Sequence, residues 1–102
     1  MSNYKLLPRH FKNAKSLNVE IVPSSNPKKK IDVYTTDGTK YSIGSYPNMD
    51  YAYYLADADL AKTEKLKQQL TRYANLRRQQ YLLRHKKNNG KAGFYAKRIL
   101  WQ

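Results

Sequence analysis

The sequence predicts an α+β fold, in which a small antiparallel sheet of three short strands is packed by a long basic helix and a short C-terminal helix. Two observations predict it. The strand-rich region 17–44 alternates apolar and polar residues with the period of two that is typical of half-buried strands. The region 47–101 instead carries apolar residues at helical spacing. A chain of 102 residues has room for one small core, so we expect a single domain over 1–102.

The three strands are expected at 17–22, 31–35 and 41–43, where the alternation is clearest. Asp37 and Gly38 lie between the last two strands. An Asp-Gly pair suits a type I′ turn, in which both central residues have positive φ. The sequence therefore predicts a β-hairpin over 31–43. Three short strands are only marginally stable unless another element covers one face.

Two helices are expected after the sheet. Ser45 and Pro47 could start the first, over about 47–56. Asp57 or Asp59 could cap the second, over about 60–85. Spacings of 4, 3, 3 and 7 place five apolar residues of the second helix on one helical face, namely Leu66, Leu70, Tyr73, Leu76 and Leu83.

The C-terminal region is expected to return to the core. Asn88, Asn89 and Gly90 should end the long helix, because Asn and Gly tolerate the left-handed conformation found just past helix ends. Residues 93–101 could then add one or two helical turns that bring Phe94, Ile99 and Trp101 to the core.

Positive charge dominates the composition, because 20 Lys and Arg stand against 7 Asp and Glu, which gives a net charge of +13. The charge is uneven. Residues 1–64 contain nine basic and all seven acidic residues, whereas 65–102 contain eleven basic residues and no acid. Such a surplus indicates a polyanionic or acidic partner. The candidate partner-binding residues lie in this basic region: Arg72, Arg77, Arg78, Arg84, Lys86 and Lys87.

Aromatic residues form a second candidate set: Tyr51, Tyr53, Tyr54, Phe94 and Trp101. Three interpretations stay open for the tyrosines of 46–54. They could pack between sheet and helix, form a protein interface, or offer platforms on which bases stack. Thirteen aromatics in all argue against a purely disordered, solvated chain.

The sequence offers little catalytic or metal chemistry. There is no Cys, which excludes disulfides, thiolate metal sites and Cys nucleophiles. His10 and His85 lack partners at ligand spacing, and no glycine-rich phosphate-binding motif is present. Asp57 and Asp59 fit a helix cap better than an acid–base pair. We therefore expect no catalytic residue, metal, cofactor or small-molecule substrate. No run approaches the ~20 apolar residues of a membrane span.

Three blocks of the chain together resemble a known family. They are DVYTTDGTKYSIG at 32–44, YLLRH at 81–85 and AGFYAKRILW at 92–101. In residue types and spacing they look like a family of small basic proteins of nucleocytoplasmic large DNA viruses, which occurs in giant and algal viruses. The resemblance covers about residues 31–101. It implies a viral origin and a location in the virion, and it brings no catalytic residues.

Two functions are compatible with these observations. The preferred one is a non-enzymatic structural component of the virus particle, a minor capsid or cementing protein whose basic helical surface binds neighbouring capsid proteins. The alternative is a viral DNA-binding protein that organises the genome. Both use positive charge and neither needs a catalytic site.

Overall fold

A computed structural model describes residues 2–87 and 90–102 and shows the expected α+β class. The elements are helix α1 (Pro8–Ser16), strands β1 (Glu20–Pro23), β2 (Ile31–Tyr34) and β3 (Lys40–Ile43), and helices α2 (Tyr51–Asp59), α3 (Glu64–Arg84) and α4 (Lys91–Tyr95). A π-helical segment, Ala96–Leu100, follows α4 directly.

The three strands form an antiparallel sheet in the order β1-β2-β3, which confirms the sheet predicted from the alternation. Val33 on the central strand lies opposite Ile21 on one side and Tyr41 on the other. Ile31 pairs with Ile43, and both are buried. Since alternate residues of a strand point to the same face, these apolar side chains share the face of the sheet that the core covers.

The turn of the hairpin differs from the type I′ turn that the sequence predicted. Gly38 has a positive φ of 85°, but Asp37 does not have a positive φ. The Thr35 N–H donates to the carbonyl of Thr39 at 3.0 Å, so three residues form the loop. Gly38 occupies the last of them, as in a three-residue hairpin with a glycine bulge. The Asp37 carboxylate accepts hydrogen bonds from the Thr35 hydroxyl and the Thr39 N–H, which favours this wider loop.

Helix α1 was not predicted, and α2 begins later than expected. Pro8 stands in the first turn of α1, where its missing N–H is not needed. Asp50 caps α2, because its side chain accepts a hydrogen bond from the Tyr53 N–H. The predicted start at Ser45 and Pro47 is therefore wrong.

Helix α3 packs mainly along α2, and small buried side chains allow the two helices to approach closely. Ala52 and Ala58 of α2 and Ala74 of α3 are at most 5% exposed. Thr63 caps α3 through a hydrogen bond from the Leu66 N–H to its hydroxyl, in place of the predicted Asp57 or Asp59.

The C-terminal segment completes the core. Ile99 and Leu100 are buried with the apolar side chains of the sheet, and Trp101 is buried as predicted. The expectation that Phe94 reaches the core is wrong, because 42% of this residue is exposed. The predicted break at 88–90 lies partly outside the described residues, and Gly90 precedes α4.

Among the described residues, no helix combines the length and the apolar character that crossing a membrane requires.

Candidate functional site

A cleft of about 690 Å³ lies between the end of β3, the second half of α3 and α4. Four basic residues that are not part of the buried core line the cleft: Lys29, Arg77, Arg84 and His85. The described lining includes no Asp or Glu. A concave surface lined by charges of one sign concentrates ions of the opposite sign. The cleft therefore suits an anionic ligand.

Arg77 has an unused donor at this cleft. Its Nη1 donates to Gln80 Oε1 at 3.0 Å. Its Nε is buried and has no hydrogen-bond partner among the described residues. A buried donor without a partner costs about 1–3 kcal/mol of stability.

An aromatic stack forms one wall of the cleft. The Tyr81 ring lies 4.6 Å from that of Trp101, nearly parallel to it, and 4.3 Å from the ring of His85, the residue that follows α3. Burial raises the pKa of the Tyr81 hydroxyl, although the positive charge of Arg84 opposes this increase. The stack fixes the C-terminal segment against α3 and keeps this wall apolar.

Arg78 has a structural position that the sequence did not indicate. Its Nε donates to the carbonyl of Trp101 at 2.9 Å. Its guanidinium carbon lies 5.2 Å from the centre of the Tyr51 ring, and that of Arg9 lies 5.1 Å from the same ring. Such cation–π contacts are stabilising. Arg78 therefore holds α3 to α2 and to the C-terminal segment, unlike the other candidate basic residues.

The outer face of α3 is an exposed apolar stripe. Successive helical residues turn by about 100°, so Leu66, Tyr73, Leu76 and Leu83 fall within an arc of about 100°. Their exposed fractions are 42, 49, 49 and 67%. Arg72 and Arg84 border this stripe on its two sides. The apolar face that the sequence analysis identified is thus largely free, whereas Ala74 packs inward.

The remaining candidate residues divide between core and surface. Three of them are exposed, namely Arg72 on α3 and the two lysines Lys86 and Lys87, which lie in the turn after α3. Tyr51 and Trp101 are buried, and Tyr53 and Tyr54 are half-buried against the core cluster. Phe94 is exposed beside Arg98, whose guanidinium carbon is 5.4 Å from the ring centre.

A buried polar cluster was missed by the sequence analysis. Asp50 accepts hydrogen bonds from the Tyr4 hydroxyl and from Lys30 Nζ at 3.3 Å, and its other oxygen lies 3.2 Å from His10 Nε2. His10 Nδ1 accepts from the Leu7 N–H at 2.9 Å, so Nε2 carries the hydrogen that is donated to Asp50. Of these four residues, only Asp50 could be recognised in the sequence, because Asp is a typical residue immediately before a helix.

Charge and burial oppose each other in this cluster. Burial would raise the pKa of Asp50, but the hydrogen bond from His10, the charge of Lys30 and the hydrogen bond from Tyr4 outweigh it and lower the pKa. Burial lowers the pKa of Lys30, against the effect of Asp50. Burial, together with the charge of Asp50, raises the pKa of Tyr4. Because all four residues are buried, at 7% exposure or less, we assign the cluster a role in stabilising the fold.

Within 2–87 and 90–102, no group of three or more His, Asp or Glu side chains is arranged to hold a metal ion. Comparison with protein families, with curated proteins and with solved structures found no match to this chain.

Proposed function

We propose that this protein is a non-enzymatic structural component of a large DNA virus particle, a minor capsid or cementing protein. In this role, the outer face of α3 binds an acidic surface of a neighbouring capsid protein. The single observation that carries the proposal is the exposure of Leu66, Tyr73, Leu76 and Leu83 on one side of a basic helix.

The chemistry of that face favours a protein partner. Exposed apolar side chains grouped on one face are typical of protein interfaces, whereas a helix that contacts only phosphates needs no leucines. Arg72 and Arg84 at the borders can pair with carboxylates through their planar forks. Residues 65–102 contain no acid, so the partner must supply the negative charge.

A second copy of the chain is a poor partner for this face. Two copies would each bring a net charge of +13 and the same acid-free region. Juxtaposed like charges cost several kcal/mol at an interface. An acidic neighbour with apolar side chains at its centre avoids this repulsion. The viral setting of the proposal rests on the resemblance of the blocks at 32–44, 81–85 and 92–101.

Photo-crosslinking from position 76 identifies the partner. A photoreactive residue replaces Leu76 in the chain expressed during infection, and the control carries it at Thr36 in the exposed hairpin loop. We expect position 76 to crosslink to an acidic structural protein of the particle and position 36 not to do so. Crosslinks from position 76 to nucleic acid alone would contradict the proposal.

Genome binding is the second candidate function, and the eleven basic residues of the acid-free region 65–102 favour it. Titration of duplex DNA at increasing salt separates the two. A genome-binding protein loses affinity steeply with salt but keeps useful affinity near physiological ionic strength. For a capsid component, we expect only weak, non-specific binding there.

A further inference from the structure

The basic cleft is a site in its own right, separate from the leucines of α3's outer face. We propose that it binds the phosphate group of a small phosphorylated molecule of about nucleotide size. The molecule is held as a ligand and no bond in it is broken.

The charge of the cleft calls for an anion with more than one negative charge. Lys29, Arg77 and Arg84 bring three permanent positive charges to the lining, and His85 adds a further donor. Lys30 also lies at the cleft, but its Nζ is 3.3 Å from Asp50 and is paired there. With no carboxylate in the described lining, nothing compensates the other three cations. A phosphate dianion matches this excess better than a single carboxylate does.

Arg77 supplies the geometric argument. An arginine side chain binds phosphate most specifically through two parallel N–H groups. The buried Nε of Arg77 lacks a partner, while Nη1 is held by Gln80, which fixes the plane of the guanidinium. Arg77 therefore brings a guanidinium of fixed orientation to the lining of the cleft.

Size and shape favour a small molecule over a nucleic-acid duplex. A volume of about 690 Å³ falls in the range of ligand sites, about 300–1,000 Å³. A cleft of this volume, bordered by a sheet end and two helices, can hold a small molecule but not a duplex. The apolar wall can cover the organic part of a ligand, because Met49, Tyr54, Leu100 and Trp101 all line the cleft.

The fluorescence of Trp101 provides a direct test, because it is the one tryptophan in the sequence and it lines the cleft. The full chain is titrated with sodium pyrophosphate and, separately, with ADP, at constant ionic strength. We expect saturable binding of both. Tighter binding of ADP would identify a nucleotide-like ligand, and equal binding would identify the phosphates alone as the recognised group.

Three variants show whether the cleft is the site. Arg77→Lys keeps the charge but loses the fork, so we expect binding to weaken about tenfold. Arg84→Gln removes a charge from the lining and should weaken binding about fivefold. Lys62→Gln removes the same charge from an exposed residue outside the cleft and should change binding by less than about twofold. Melting temperatures show that each variant is folded.

Two results would overturn the proposal. One is the absence of saturable binding of both probes to the folded wild-type chain. The other is an equal loss in Arg84→Gln and Lys62→Gln, which would mean that net charge alone attracts the probes. The titration uses the isolated chain with no capsid protein present, so its outcome does not depend on the proposed capsid interface.

Discussion

Asp32 and Asp50 are the two carboxylates that the described fold buries, at 2% and 0% exposure. Asp32 lies on the central strand β2 and accepts hydrogen bonds from the hydroxyls of Ser24, Ser25 and Ser42. Asp50 joins the N-terminal segment to the loop before β2 and to the start of α2. Asp32 therefore connects the strand β2 to the ends of its two neighbours, whereas Asp50 connects segments that are distant in sequence.

Replacing Asp50 by Asn tests the buried cluster. The amide still caps α2, but the charge of Lys30 is left without a counter-charge in the interior. Removal of one partner of a buried ion pair costs about 3–5 kcal/mol. We expect a loss of this size in urea unfolding, and a partial recovery when Lys30→Met is added. Asp57→Asn, which removes the same charge from an exposed position, should change stability by less than about 0.5 kcal/mol.

Because of the Asp32 carboxylate, the fold should become less stable as the pH falls into the acid range. Burial would raise its pKa, but hydrogen bonds from the Ser25 N–H and from three serine hydroxyls outweigh burial and lower the pKa to about 2. The unfolded chain takes up this proton at a higher pH than the folded chain does. The free energy of unfolding should therefore decrease by on the order of 2 kcal/mol as the pH falls from about 5 to about 2.

Urea unfolding at several pH values measures this dependence. In Asp32→Asn, we expect lower stability at neutral pH and a shallower decrease towards acid pH. The exposed Asp57→Asn variant serves as the control. An unchanged acid slope in Asp32→Asn would show that the carboxylate is not the source of the dependence.

At the scale of elements, hydrophobic periodicity predicted the strands and the existence of α3, because the strands alternate with a period of two and five apolar residues of α3 recur at spacings of 4, 3, 3 and 7. It did not predict α1, whose two buried residues are His10 and Ala14. A helix of nine residues that packs through a histidine and an alanine offers too few large apolar side chains for such a prediction. In α3 the pattern identified a real helical face, but the side that packs inward carries Ala74, and most of the apolar face is exposed.

The two glycines at the ends of β3 have different constraints, which can be compared directly. Both have a φ near +84°, at 85° for Gly38 and 83° for Gly44. A Cβ on Gly38 would meet nothing within 4 Å, whereas one on Gly44 would lie 2.8 Å from Lys30 Cδ and 2.9 Å from Leu100 Cδ1. Close approach of the C-terminal segment thus requires a glycine at 44.

Alanine substitutions measure this difference by thermal or urea unfolding. Gly38→Ala should cost about 1 kcal/mol, from the unfavourable φ alone. Gly44→Ala adds overpacking and should cost about 1–3 kcal/mol more. Equal losses in the two variants would show that the contact between β3 and Leu100 is not tight.

At the scale of the whole molecule, the sequence predicted a basic C-terminal half but not the cleft. Lys29 follows β1, whereas Arg77 and Arg84 belong to α3, so only the tertiary fold brings them together. The uneven charge was visible because composition does not depend on the fold. The inward position of Arg78 was not visible, since it depends on the location of Trp101 and Tyr51.

We propose that the exposed apolar face of α3 attaches the protein to an acidic neighbour in the particle. Leu76→Ser combined with Leu83→Ser removes the two most C-terminal side chains of that face without touching the core. Leu60→Ser is the matched control, because Leu60 is 80% exposed and lies outside α3. Both variants should melt close to the wild-type temperature, since exposed substitutions change stability by about 0.5 kcal/mol or less.

The most direct measurement is retention on particle shells after nuclease treatment has removed the accessible genome. We predict that the wild-type chain and Leu60→Ser stay with the shells, and that the double variant at 76 and 83 is lost from them. Retention of the folded double variant at the wild-type level, or release of the wild-type chain together with the DNA, would contradict the claim.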